Sequence, residues 1–242
     1  MATIEALQTA IDRSQHLVFF GGAGVSTASG IPDFRSANGV YSQATGNHMS
    51  PEEIISHDFF KQYPAEFYDF YFKHLVYPEA KPNVVHKYLA QLEARGKDLT
   101  IVTQNIDGLH QAAGSQKVVE LHGSVHRNYC LACGRTYNYE NLVLDQEGIP
   151  RCPFDGGLVR PDVVLYQEQL DQTAMLAAMQ AISQADMMIV AGTSLVVYPA
   201  AAFIQYFQGQ DLAVINKTPL KIRTEKVLDY MGDMKDIFQQ LH

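Results

Sequence analysis

The run LVFFGGAGVSTASGIPDFR, Leu17 to Arg35, decides how the chain is read. Its apolar start, Leu17 to Phe20, has the look of a short buried strand that runs directly into Gly21, Gly22 and Gly24. Glycines between a strand and a following helix let backbone N–H groups approach a pyrophosphate at the helix N-terminus. Thr27 stands where the third glycine of the usual G-x-G-x-x-G spacing belongs, so a tight structural turn reads the run equally well. The acid that normally closes a second strand and holds a ribose is not evident, which disfavours an ordinary hydride-transferring dehydrogenase.

Outward from this run, strands alternate with helices. Ile4, Leu7 and Ile11 share one helical face upstream, within Thr3 to Arg13. Downstream, Ser50-Pro51-Glu52-Glu53 reads as an N-cap, a proline at the first helical position and acids in the first turn. A helix over Asn83 to Arg95 is closed by Gly96, and another begins at Asp171. LTIVTQN, VVELHG, DMMIVAG and LAVIN are apolar runs that each end in polar or glycine residues. Near-continuously apolar strands alternating with helices predict an α/β fold, a parallel sheet covered on both faces. Two regions break the pattern: aromatic-rich residues 37–82 and cysteine-bearing residues 124–157, which read as insertions that together form a smaller domain.

Bulk properties limit the function classes. The chain has 242 residues, 47% hydrophobic and 18% charged, enough to bury a real core. Its net charge of −8 argues against nucleic acid as the main partner and suits soluble, basic substrates. The start MATIEALQTAIDRS lacks the basic and apolar regions of a signal peptide, and no apolar run approaches the ~20 residues of a membrane span. Three cysteines, two of them in a C-x2-C pair, fit a reducing cytoplasm rather than a disulfide framework.

Four strand ends carry candidate chemistry. TQNIDGLH (Thr103 to His110) offers Gln104, Asn105 and Asp107, compact hydrogen-bonding groups suited to an amide and ribose hydroxyls, although Asp107 also fits a simple helix cap. ELHGSV places His122 at another strand end. A lone histidine there is more often structural, but in a shared cleft it suits general base work. AGTSLVVYPAA adds Gly192, Thr193 and Ser194, and VINKT adds Asn216. In open parallel sheets ligands bind at this edge. Separately, Cys130-x2-Cys133-x18-Cys152-x2-Asp155 falls within the spacing of a paired-knuckle zinc site, with Asp155 where a fourth cysteine belongs. The alternative is a set of buried small hydrophobes.

In this order GAGVSTASGIPDFR, TQNIDGLH, ELHGS, CLACG and GTSLVVYPAA closely resemble the sirtuin family of NAD-dependent protein-lysine deacylases. The match runs from about Leu17 to the C-terminus, and the compact length is similar to bacterial members. The resemblance implies a Rossmann-like NAD-binding domain from residues 1–36, 83–123 and 158–242. A small domain, a helical module plus a zinc-ribbon-like module, would come from residues 37–82 and 124–157. It implies that Gly22, Ala23, Gly24 and Thr27 surround the pyrophosphate, and that Asp33, Phe34 and Arg35 flank the nicotinamide ribose. Asn105 and Asp107 would hold nicotinamide with Ile106 nearby, and Gln104 would bind the ribose. Gly192, Thr193 and Ser194 would take the adenosine side, with Asn216 on its ribose and Met234 beside the adenine.

The chemistry implied is attack of an acyl-lysine amide oxygen on the ribose, departure of nicotinamide, and activation of a ribose hydroxyl by His122 as general base. Catalytic roles then fall to His122, Asn105, Gln104 and Asp107, and the products are nicotinamide, free lysine and O-acyl-ADP-ribose. The acyl-lysine peptide would enter as an added strand between VVLYQEQ and SLVVYP, touching Val163, Leu165, Tyr166, Val196, Val197 and Tyr198; two core strands are the plainer reading. One departure stands out: Gln167 replaces the family's usual glycine between the aromatic residue and Glu168. Succinyl- and malonyl-preferring members carry a Tyr and an Arg two residues apart, and AEFYDFYFKHL (Ala65 to Leu75) has no arginine, so neutral acyl groups are expected. The family's zinc is structural. With Asp155 in place, either weakened zinc held mainly by Cys130, Cys133 and Cys152, or full loss, is expected, the latter leaving the ribbon to Leu131, Tyr137 and Phe154. A cytoplasmic monomer is expected. ADP-ribosyl transfer and non-catalytic NAD or ADP-ribose binding are the competing readings.

Overall fold

A computed structural model describes residues 2–33, 49–220, 222 and 227–242. Its centre is a six-stranded parallel sheet built from β1 (His16–Gly21), β2 (Asp98–Thr103), β3 (Val118–Glu120), β9 (Met187–Ala191), β10 (Asp211–Asn216) and β11 (Val227–Met231). The order is β3-β2-β1-β9-β10-β11, so the chain reverses direction of progress between β1 and β9. That is the doubly wound arrangement, with its ligand crevice at the switch point.

Strand side chains alternate between two buried faces, as a sheet covered on both sides requires. Phe19, Ile189 and Ile215 pack with α1 (Ile4–Arg13), α5 (Val84–Ala94) and α8 (Met234–Phe238). Val18, Phe20, Val190 and Val214 pack with α7 (Gln172–Gln184) and the 3-10 helix Ala200–Tyr206. The helix ends follow the local chemistry read from sequence. The Thr3, Asn83 and Asp171 side chains accept N-terminal N–H groups, and the Ser50/Glu53 pair closes a full capping box on α2 (Pro51–Ile54). No α-helix follows the glycine turn directly: two 3-10 turns, Ala23–Val25 and Thr27–Ser29, take its place.

The remaining elements form a second layer. β4 (Gly123–Cys130) pairs antiparallel with β5 (Thr136–Asn138) and with β8 (Val159–Val163), so β8 lies in the small sheet rather than with the large one. The short strands β6 (Val143–Leu144) and β7 (Pro150–Arg151) form a separate ribbon. Helices α2, α3 (His57–Gln62) and α4 (Pro64–His74) supply Ile54, Phe59, Phe60, Phe67, Tyr68 and Tyr71 to one apolar cluster with Val125, Ile149, Val163 and Leu165. Tyr68 donates from its hydroxyl to the Val159 carbonyl, tying α4 to β8. The short α6 (Leu109–Ala113) follows the β2 strand end. Among the described residues no helix is long and apolar enough to cross a membrane.

Candidate functional site

A single hydrogen-bonded chain crosses the C-terminal edge of the large sheet. The His122 Nδ1–H, just past β3, donates to the Gln104 carbonyl after β2 at 2.8 Å. The Gln104 side chain donates to Thr193 Oγ1 after β9 at 3.1 Å, and the Asn216 amide at the end of β10 donates to the Thr193 carbonyl at 3.1 Å. Ser26, after β1, joins the two remaining polar groups. Asn105 Nδ2 donates to Ser26 Oγ at 3.0 Å, and Ser26 donates to Asp107 Oδ2 at 2.6 Å. Asp107 Oδ1 also accepts the Leu109 N–H at 2.9 Å, the cap that the plainer reading gave it. The group at the helix start and the candidate ligand group are therefore the same side chain.

Backbone proximity at the switch point explains the glycines. Gly24 donates its N–H to the Gly192 carbonyl at 2.8 Å, and a Cβ on Gly24 would lie 2.8 Å from Gly192 Cα. The turns after β1 and β9 are thus pressed together, and a side chain there forces them apart. Met234 at the start of α8 packs against the same Gly192. Gly123 has a second such role: its φ is +76° and a Cβ would sit 1.9 Å from the Asp162 carbonyl oxygen, which holds β4 against β8 immediately beside His122.

The electrostatics favour a neutral His122. Burial lowers its pKa below the ordinary 6.5, against the opposing pull of its bond to Gln104. With Nδ1 donating, Nε2 carries the lone pair and is ready to accept a proton. Behind this edge, His86 and His110 are buried with ring centroids 4.7 Å apart. Burial lowers the pKa of His86 to about 4 and that of His110 to about 3, so both are neutral at physiological pH.

Val163 and Leu165 are buried in the small apolar cluster, with half-buried Tyr166 packed against it, while half-buried Val164 packs against the core of the large sheet. Residues 194–199 are not a core strand. Val196 and Tyr198 are 54% and 71% exposed, while Val197 is half-buried and Ser194 exposed beside them. Both amide hydrogens of Asn216 are spent inside the protein, on the Thr193 and Thr218 carbonyls. Thr27 bonds back to the Gly24 carbonyl. Asp33 and Ile106 are half-buried, and Phe34 and Arg35 lie outside the described residues. Ser26 was not singled out from sequence, because its role depends on bringing two distant strand ends together.

The cysteine module tests whether a metal fits. Cys130, Cys133, Cys152 and Asp155 each place a donor atom within 4.8 Å of the others. Tetrahedral zinc, with bonds of ~2.3 Å to sulfur and ~2.0 Å to oxygen, sets sulfur–sulfur edges near ~3.8 Å and sulfur–oxygen edges near ~3.5 Å. The Cys133–Cys152 sulfurs are 3.8 Å apart and Cys130 Sγ is 3.4 Å from Asp155 Oδ1. The set therefore fits zinc, with Asp155 at the fourth vertex. The Gly157 N–H aims Asp155 Oδ1 at 2.8 Å, and the Tyr137 hydroxyl lies 3.0 Å from Cys152 Sγ, the kind of outer contact that orients ligands. Full loss leaves little to hold the ribbon, because Leu131 and Phe154 are 52% and 72% exposed rather than packed inside.

Fold and site define a dinucleotide-binding α/β protein with a neutral histidine at a strand end and a four-donor metal module. Comparison gives the family. The Sir2 family model matches residues 22–199, and the chain belongs to that family. It is 55% identical over 216 residues to an NAD-dependent protein deacetylase of Clostridium perfringens, covering 89% of this chain and 88% of that protein. It superimposes with a TM-score of 0.88 and 37% identity on a Sir2 variant with a deacetylated p53 peptide and 3′-O-acetyl ADP-ribose, covering 98% of this chain and 96% of that chain. A Sir2–p53 peptide–NAD+ structure aligns with a TM-score of 0.85 and 38% identity, with the same coverage of both chains.

Proposed function

We propose that this protein is an NAD-dependent protein-lysine deacetylase that transfers the acyl group to ADP-ribose and releases nicotinamide. The observation that carries it is the pinned, neutral His122 beside the Asn105–Ser26–Asp107 relay, at the switch point of a Sir2-family sheet. Bound NAD+ would supply an ADP-ribosyl group with nicotinamide as the leaving group. Asn105 and Asp107, fixed by Ser26, suit a primary carboxamide, which needs one donor and one acceptor. Nicotinamide leaves as a neutral ring from a cationic one, so the site needs orientation and dryness rather than an acid. Gln104, clamped on Thr193, and the Asn216 oxygen would meet ribose hydroxyls, and Gly22, Ala23 and Gly24 would meet the pyrophosphate. His122 Nε2 takes the proton from a ribose hydroxyl, and the Gln104 carbonyl steadies the imidazolium that forms.

The substrate is an acyl-lysine peptide held between residues 163–168 and 194–198. Val196 supports this reading, since neither its N–H nor its C=O is hydrogen-bonded among the described residues. The acyl group is neutral, acetyl first, because α4 carries no arginine to balance a carboxylate. Zinc would be held by Cys130, Cys133, Cys152 and Asp155 as a structural staple. The protein works as a cytoplasmic monomer without nucleic acid, in two lobes that meet at Gly123. Mass spectrometry of an acetyl-lysine peptide incubated with NAD+ tests the reading: it predicts free lysine and O-acetyl-ADP-ribose in equal amounts. ADP-ribose retained on protein would instead indicate transfer, and NAD+ binding without turnover a binding module.

A further inference from the structure

Gln167 lies where the family resemblance leads one to expect glycine, and its backbone keeps a glycine conformation, φ +76°. For a residue with a side chain the left-handed region is strained and persists only where surroundings hold it. Here the side chain itself does the holding. Gln167 Oε1 accepts the Asp58 N–H at 3.0 Å, and Gln167 Nε2 donates to Asp58 Oδ2 at 3.1 Å. Both halves of the amide are therefore spent on one residue in the first turn of α3.

The turn around Gln167 is seamed to the segment before α3 on both sides of this clamp. Tyr166 donates its N–H to the Ile55 carbonyl at 3.1 Å and accepts the His57 N–H at 3.0 Å. The Glu168 carboxylate accepts Arg160 Nη1 at 2.8 Å and the Leu165 N–H at 2.9 Å, and lies 2.8 Å from His57 Nδ1. As a result the N–H groups of Val164, Leu165, Tyr166 and Glu168 are all taken. Gln167 differs. Neither its N–H nor its C=O bonds to any described residue, and it is exposed. An extended peptide pairing with this wall therefore meets one residue whose backbone donor and acceptor are both available.

We infer that Gln167 is a positioning residue for the peptide: its side chain, clamped to Asp58, fixes the backbone N–H and C=O that it presents to the substrate main chain. This rests on the deacylase reading. It makes peptide register in this chain depend on a contact to the helical module that a glycine lacks.

Gln167→Gly keeps the backbone conformation accessible while deleting both bonds of the clamp, and Asp58→Ala deletes the bond to the carboxylate while leaving the backbone N–H bond in place. Steady-state kinetics with an acetyl-lysine peptide should show the peptide KM rising about three- to tenfold in each, the effect of one or two lost hydrogen bonds. The kcat and the KM for NAD+ should stay within about twofold, a split that general loss of structure would not produce. The double variant should be no worse than Gln167→Gly, because that change already removes the bond that Asp58→Ala deletes. Amide hydrogen exchange over residues 163–169 should rise in both single variants. Unchanged peptide KM in a wild type that turns over peptide, or additive effects in the double variant, overturns this inference alone. A wild type that neither binds nor deacylates acetyl-lysine peptide overturns the deacylase reading and this inference with it.

Discussion

The C-terminal edge of the large sheet and the cysteine module both gather polar side chains, but they are held in opposite ways. At the edge, each group is positioned by the protein itself: His122 by the Gln104 carbonyl, Asp107 by the Leu109 N–H and Ser26, Asn105 by Ser26, Gln104 by Thr193, and the turns of Gly24 and Gly192 by each other. Beneath it lies a large two-faced core. Around the cysteines the buried cluster among the described residues is Cys130, Cys152 and Val159, with Tyr137 and Leu142 packed beside them. So small a cluster does not offset the entropy of ordering the ribbon, which is why such modules rely on a metal. The lesson is that one region is a preorganised site supported from below, and the other is a small module whose donor set is compatible with a metal staple. β4 joins them, with His122 before one end and Cys130 at the other, so at ~3.3 Å per residue they lie roughly 20–25 Å apart.

If the comparison holds, damage at the edge should cost chemistry and damage at the module should cost stability. The largest effect is expected from His122→Ala: a loss of about 10²–10⁴-fold in kcat, the usual worth of a positioned base, with melting temperature nearly unchanged. A variant that keeps its turnover would remove the edge from the account. Next comes Gly24→Ala. Its Cβ would meet Gly192 Cα at 2.8 Å, so the variant should lose about 1–3 kcal/mol of stability and bind NAD+ more weakly in calorimetry.

Titration separates the two histidine environments. Because burial lowers the pKa of His122, kcat/KM should fall only as pH drops below the ordinary 6.5, with a flat limb above it. His86 and His110 have folded pKa values of about 4 and about 3, below the unfolded 6.5, so the unfolded chain binds their protons first. Stability is then full above pH 6.5 and declines as pH falls towards 4; a chemical-denaturation series in which His110→Gln shows the same decline would contradict this. The smallest effect on turnover is expected at the module. Asp155→Cys should raise zinc retention against a chelator and lift the melting temperature by about 2–4 °C for each kcal/mol gained, with kcat altered less than about twofold. A large fall in kcat with unchanged zinc content would break the separation between the regions.

Much of this was legible before folding. Helix caps at Thr3, Ser50, Asn83 and Asp171 are local chemistry and read directly, as do the strand-end motifs. What escaped was non-local. β11 has the weak pattern VLDYM, half exposed at a sheet edge, and offers little apolar signal. Ser26 gains its role only where the turns after β1 and β2 meet. The resemblance assigns the segment 163–166 to peptide contact, and the burial of Val163 and Leu165 in the cluster formed with α3 and α4 depends on non-local packing that its apolar run does not reveal. Asp155 read as an eroded ligand because residue type was visible and the donor spacing was not; the 3.4 Å gap to Cys130 Sγ is compatible with a fourth vertex.

The most direct test of the account measures nicotinamide release from NAD+ with and without an acetyl-lysine peptide, in the wild type and in His122→Ala. The account predicts release that depends strictly on the peptide in the wild type and is lost in the variant, with NAD+ affinity retained. Release that proceeds equally without peptide, or that survives in His122→Ala, would contradict it.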